Sequence, residues 1–251
     1  MLTRQSILAV AGAVAAFSVA GSAFAQEDGS YFRTRVLAPK RALELSPGLS
    51  YSAPFGEVAK GANVRDFAGS ALAPQLGIAY RVVPEMALGV TGFYQEFSAG
   101  NDTNDGITTR GRARAVGVGP DITVHFRPYQ RVDPFLRGGF GYRAMWEVRD
   151  GGNNDVVRHG FELGRLALGL DMRMSKDIAI APVLAANANM FLWQSRDNGG
   201  RSSISDPRVN VSVSAGFEAR FDLGGDRVYN STDTAVLRQL TTTTTTTSAA
   251  P

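Results

Sequence analysis

The chain has 251 residues, with 26 Lys or Arg against 23 Asp or Glu, and contains no Cys. A net charge of only +3 gives a nucleic-acid role little footing, since the Arg residues are scattered and interleaved with acids. Without Cys there is no disulfide scaffold, so stability must come from a continuous sheet or from the surroundings. Lysine occurs only at Lys40, Lys60 and Lys176, which is unusual for a water-facing surface.

The N-terminus reads as a secretory signal peptide over residues 1–25. Arg4 is the basic lead, Ile7 to Val19 is the apolar run, and Ala23-Phe24-Ala25 is an A-x-A cleavage site. Residues 26–41 are expected to be a short periplasmic segment. No later stretch offers 18 consecutive apolar residues, so no helical membrane span is expected.

From Ala42 onward the sequence alternates between apolar and polar positions, the signal of a strand with two different faces. Eight strands are predicted in chain order: Ala42 to Ala53, Ala71 to Val82, Met86 to Phe97, Gly111 to Arg127, Pro134 to Val148, Phe161 to Met174, Ile178 to Trp193 and Arg208 to Leu223. The last shows the rule. Val209, Val211, Val213, Phe217 and Phe221 share one face; Asn210, Ser212, Ser214, Glu218 and Arg220 share the other. Parity fails between Phe161 and Leu163, which predicts a bulge or a strand end there.

The connections alternate in length. Val83-Pro84-Glu85, Pro128 to Asp133 and Ser175-Lys176-Asp177 are tight. Pro54 to Ser70, Ser98 to Arg110, Asp150 to Gly160 and Ser195 to Pro207 are long and polar. Short periplasmic turns opposite longer extracellular loops are the rhythm of an outer-membrane barrel. Residues 224–251, with Gly224-Gly225 and the Thr241 to Thr247 run, are expected to be a disordered tail.

Side-chain size identifies the inward face. The polar face consists of Gly, Ala, Ser and Asn with occasional long charges. A solvent face has no reason to be small, whereas the lumen of an eight-stranded barrel has little room. The other face is large and apolar, as lipid requires. Tyr80, Phe126, Tyr129, Phe135 and Phe221 near the turns, and Tyr51, Tyr94 and Trp146 near the loops, are expected to form two interfacial girdles.

The fold class is therefore read as all-β, an eight-stranded antiparallel up-and-down transmembrane barrel over residues 42–223. This region resembles the small outer-membrane barrels of the OmpA/OmpX type and the related OmpW-like group. Ser214-Ala215-Gly216-Phe217-Glu218-Ala219-Arg220-Phe221 resembles the last-strand signal of that group, with Ala219 where a bulkier residue is usual. The resemblance implies outer-membrane lipid as the surroundings and the barrel assembly machinery as a partner during biogenesis. OmpA-like proteins continue into a peptidoglycan-binding domain; the tail here is too short for one.

The expected lumen charges are Glu44, Asp121, Arg137, Arg143, Glu147, Arg165, Asp171, Arg173, Glu218 and Arg220. Buried charges must pair or stay hydrated. Ten of them imply an ion-pair network that plugs the barrel, or a narrow gated pore. No catalytic residue, cofactor or metal ligand set is expected. His125 and His159 are the two histidines, and His159 lacks the His-x-Ser pattern of barrel deacylases, although Glu162 is close. Asn101, Asp102, Asn104 and Asp105 lack the closing Glu of a calcium loop. Gly138-Gly139-x-Gly141 opens no helix and is no phosphate loop. The expected protein is a monomeric structural barrel or poorly conducting channel. Surface adhesion, and less so lipid A modification, are the alternatives.

Overall fold

The computed structural model describes residues 35–100, 112–148, 156–196 and 200–229. The signal peptide, the acidic run at 101–105 and the threonine run lie outside the described residues. The elements in order are β1 (Ala38–Lys40), β2 (Ala42–Phe55), β3 (Glu57–Ala59), β4 (Ala62–Asn63), α1 (Val64–Phe67), β5 (Ala71–Val83), β6 (Met86–Phe97), β7 (Arg112–His125), β8 (Val132–Val148), β9 (Val156–Arg173), β10 (Ile178–Arg196), β11 (Arg201–Ser203), β12 (Val209–Leu223) and β13 (Asp226–Val228).

Eight of these close a ring. Strands β2, β5, β6, β7, β8, β9, β10 and β12 pair antiparallel with their neighbours in sequence, and β12 pairs back onto β2 from Val211↔Phe55 to Leu223↔Leu43. Closure removes every open edge, which a sheet in lipid cannot tolerate.

Burial follows the alternation and settles which face is which. Phe140 and Phe217 are 61% and 60% exposed on the outside, while Arg81 and Arg220 are 0% and 1% exposed inside. Leu76, Ile78, Ile122, Leu166 and Leu168 continue the outer apolar surface. A soluble barrel has the opposite polarity. The chain is a transmembrane barrel of the bacterial outer-membrane type, with its long connections at one end and its short turns at the other.

The parity break is a bulge. Ala188 faces Gly164 but Asn189 faces Glu162, and Gly139 faces Arg165 but Gly141 faces Glu162. The register of β9 shifts against both neighbours at this point, so Glu162 and Arg165 both turn inward while Leu163 and Leu166 face lipid. One expected girdle member does not belong there. Phe135 is buried on the lumen side, because it shares the parity of Arg137. Its ring lies where a Cβ on Gly169 would be, 2.2 Å from Cζ; Gly117 stands in the same relation to the Phe93 ring, at 2.3 Å. These glycines make the space that lumen rings occupy.

Both mouths are covered. At the loop end, Val58, Val64, Phe97, Met145 and Phe191 form a buried apolar cluster. Burying each such side chain is worth about 1.5–3 kcal/mol. The short α1 brings Val64 into it, capped by Asn63, whose Oδ1 accepts from the Arg65 N–H at 3.0 Å. Val58 O accepts from Arg208 N–H at 3.0 Å and tacks this first loop to the last.

At the turn end, the chain before β2 is a strap. Val36 N–H donates to Tyr129 O at 2.9 Å, and Arg35 bridges to Gln130. The β7–β8 turn is across the ring from β2, so residues 35–41 cross the mouth. Within this strap, Ala38 and Pro39 are buried. Strand β13 pairs with β1 through Ala38↔Val228, Pro39↔Arg227 and Lys40↔Asp226. The ordered part thus runs past Leu223, against the expectation of a tail disordered from 224. The turn that allows it passes through Gly224 and Gly225 at φ 66° and 72°. A Cβ on Gly225 would be 2.6 Å from Lys40 O.

Candidate functional site: the charged lumen

The polar face of every barrel strand contributes to the interior, and its charges fall into three levels. The lowest level lies just above the strap. There Arg81 on β5 pairs with Glu44 on β2. The Arg81 Nη2 donates to His125 Nε2 at 2.7 Å, and Arg220 Nη1 approaches the same nitrogen at 3.3 Å. Guanidinium nitrogens only donate. His125 Nε2 therefore accepts, Nδ1 carries the hydrogen, and Nδ1–H donates to Asp133 Oδ2 at 2.8 Å. Asp133 Oδ1 accepts from the Arg127 backbone N–H at 2.8 Å. Arg220 pairs with Asp171, and Arg173 Nη1 donates to Asp222 Oδ2 at 2.8 Å.

His125, Asp133 and Asp171 bring ligand-type atoms within 4.8 Å of one another, which two histidines far apart in sequence do not foretell. The grouping does not suit a metal ion. The imidazole lone pair is directed at Arg81, and Asp171 is held by Arg220. Guanidinium groups already occupy the place a cation would take.

The middle level centres on Glu218. Arg137 grips it with Nη1 to Oε2 at 2.8 Å and Nη2 to Oε1 at 2.7 Å. Gln75 adds a donor at 3.3 Å, and Arg137 Nε donates to Thr123 Oγ1 at 3.1 Å. Phe135 lies below as an apolar floor, with the Arg220 and Arg137 guanidinium carbons 4.8 and 5.5 Å from its centroid. Beside this pair a cavity of about 20 Å³ remains, lined by Ser50, Gln75, Thr91, Arg137 and Arg165 among others. That is room for about one water.

The upper level is less tightly paired. Asp121 accepts from Thr91 Oγ1 at 2.6 Å and lies 3.9 Å from Arg165 Nη2. Arg165 Nε is 3.4 Å from Glu162, which also accepts from Asn187 at 3.0 Å. Arg143 is held by amides, donating to Gln95 and, at 3.2 Å, to Asn189 Oδ1. Above these, Glu147 meets Arg158 at 2.7 Å under the loop-end cluster.

All ten residues named from the sequence are buried inside the barrel. Arg137, Arg220, Asp171, Glu44, Glu218 and Arg173 belong to the two lower levels; Asp121, Arg165, Arg143 and Glu147 are above. Arg81, His125, Asp133, Glu162 and Asp222, outside the ten expected lumen charges, are buried with them. Arg81 and Asp222 carried the signal of inward parity. Asp133 was hidden by its place beside a turn, and Glu162 by the bulge. His159 is elsewhere, on the outer face between Tyr142 and Trp193. Its Nε2 is 3.4 Å from Ser195 Oγ, but Tyr142 Oη, at 2.6 Å from Nδ1, stands where a catalytic triad would place a carboxylate.

No protein-family model matches the chain, and no curated protein matches it. Among solved structures it is similar to Neisserial surface protein A at 9% identity and a TM-score of 0.48, covering 72% of this chain and 97% of that one. It is similar to the outer membrane protein OprG from Pseudomonas aeruginosa at 10% identity and 0.46, covering 73% and 97%. A third likeness is to the outer membrane protein AlkL at 12% and 0.45, covering 75% and 94%. At these values the likenesses carry no weight on function, and the fold stands on the closed sheet itself.

Proposed function

We propose that this outer-membrane barrel has a structural role in the cell envelope and keeps its lumen sealed at rest. It works as a monomer and catalyses no reaction. The observation that carries this reading is occupancy from end to end. A strap closes the periplasmic mouth, paired charges fill the middle, and an apolar cluster closes the outer mouth. Among the described residues, Phe97, Met145 and Phe191 pack together at that mouth as an apolar layer.

A planar-bilayer recording on the purified, refolded protein tests it. The expected result is a flat baseline or rare, small events. Frequent discrete steps at low voltage would overturn the sealed barrel and favour a narrow porin-like channel. The cavity beside Arg137 and the loosely paired upper level are what support that second reading.

A further inference from the structure

Six arginines are buried among the described residues. Five of them pair with a carboxylate, as Arg137 does with Glu218. Arg143 on β8 has no such partner. Its Nη1 donates to Asn189 Oδ1 at 3.2 Å and its Nη2 to Gln95 Oε1, both neutral amides, and its Nε–H has no acceptor. The two acids of this level are engaged elsewhere. Asp121 accepts from Thr91, Glu162 accepts from Asn187, and both face Arg165.

Arg143 is 2% exposed, so bulk water does not balance its charge. Phe97, Met145 and Phe191 of the loop-end cluster follow Gln95, Arg143 and Asn189 by two residues on the same inward faces. The apolar layer therefore lies directly over the guanidinium. On its other side is the Phe93 ring, whose centroid is 5.4 Å from Arg143 Cζ. An uncompensated charge in such surroundings is strongly unfavourable.

Further unsatisfied donors adjoin it. Asn189 on β10 and Asn210 on β12 are directly opposed, both side chains are buried, and neither Nδ2 has an acceptor. One positive charge and three N–H groups from three residues thus await an acceptor. The chemistry narrows what it is. One unbalanced cation calls for a monovalent anion. The paired edge that a carboxylate or phosphate would grip is already given to Gln95 and Asn189. Single N–H groups from separate residues suit a spherical ion that accepts from any direction.

We propose that Arg143, Asn189 and Asn210 hold one halide ion, chloride, inside the upper lumen. The ion supplies the counter-charge that the strands themselves do not. The site goes beyond the structural role and does not depend on whether the lumen conducts.

The test uses the full mature chain, refolded into lipid vesicles, in sodium chloride or sodium gluconate at one ionic strength. Urea unfolding is read by gel migration. The folded form should be favoured about tenfold more in chloride, as expected when the ion is about ten times above its dissociation constant. Arg143→Gln should abolish the difference between the two salts, and Asn210→Ala should shrink it. Migration of the unheated variants shows that each barrel has formed, which separates loss of the site from loss of the fold. Crystals grown in bromide should show an anomalous peak beside Arg143 Nε. Equal unfolding in the two salts, bromide bound only elsewhere, or a folded Arg143→Gln protein that keeps the chloride response would each overturn the proposal.

Discussion

Arg137 on β8 and Glu218 on β12 meet across the lumen in a two-pronged contact at 2.8 and 2.7 Å, although β9 and β10 separate their strands along the wall. The pair is a strut between two parts of the ring that share no backbone hydrogen bond.

Removing one end of the strut leaves the other charge buried. Glu218→Gln should therefore destabilise the folded barrel by about 3–5 kcal/mol. Arg137→Met with Glu218→Leu should recover most of that loss, because both charges go together. Urea titration in lipid vesicles, read by gel migration, measures both. If the single variant were as stable as the parent, Arg137–Glu218 would carry no structural weight.

The glycines that admit lumen rings make a second expectation. Gly169→Ala brings a methyl within 2.2 Å of Phe135 Cζ, so the ring must move. Overpacking of this kind costs roughly 1–3 kcal/mol. Adding Phe135→Leu to Gly169→Ala should restore stability. A lack of rescue would mean that the strain arises in the backbone.

Lipid exposure can be tested on Leu168 of β9, which is 56% exposed and central in the exposed apolar run from Phe161 to Met174. Leu168→Arg should cost about 2–4 kcal/mol in vesicles, the penalty of a cation near the middle of a bilayer. Leu168→Phe should be nearly neutral. A soluble barrel would accept the arginine without loss, so folding equilibria of the two variants discriminate the environments.

The strap predicts a specific cross-link. Ala38 and Val228 are Cα partners in β1 and β13, and the natural chain has no cysteine. Ala38→Cys with Val228→Cys should oxidise to a single disulfide whose loop contains all eight barrel strands. After heat denaturation without reductant, the looped chain should run faster on a gel than the reduced one. Failure to form the bond in the folded protein would mean that β1 and β13 are not paired in solution.

What was legible in the sequence was whatever a period of two can encode. Inward Arg220 and outward Phe217 follow from parity alone, as do the strand number and the loop rhythm. What parity could mark but not resolve was local slippage, and it could not encode capping. A single added residue near Leu163 turns Glu162 inward, and nothing at that position announces which neighbour yields. Asp133 and Phe135 flank Pro134 at a strand start, where turn and strand compete. The strap was opaque for a different reason: Ala38, Pro39 and Lys40 show no alternation, and their partners Val228, Arg227 and Asp226 are about 190 positions away. The loop-end cluster depends on a four-residue helix, too short for its apolar spacing to stand out.

The clasp of β1 with β13 also bears on the order of assembly. Arg41 joins β1 to β2, and Gly224-Gly225 joins β13 to β12, so the clasp flanks the two strands whose pairing closes the ring. Until β12 lies along β2, the clasp residues are held apart by an unzipped seam. Once the seam is made, they are already side by side, and their pairing adds almost no loop-closure entropy. The clasp is thus a completion mark. A sheet whose seam is still open lacks it, and a fully zipped barrel carries it.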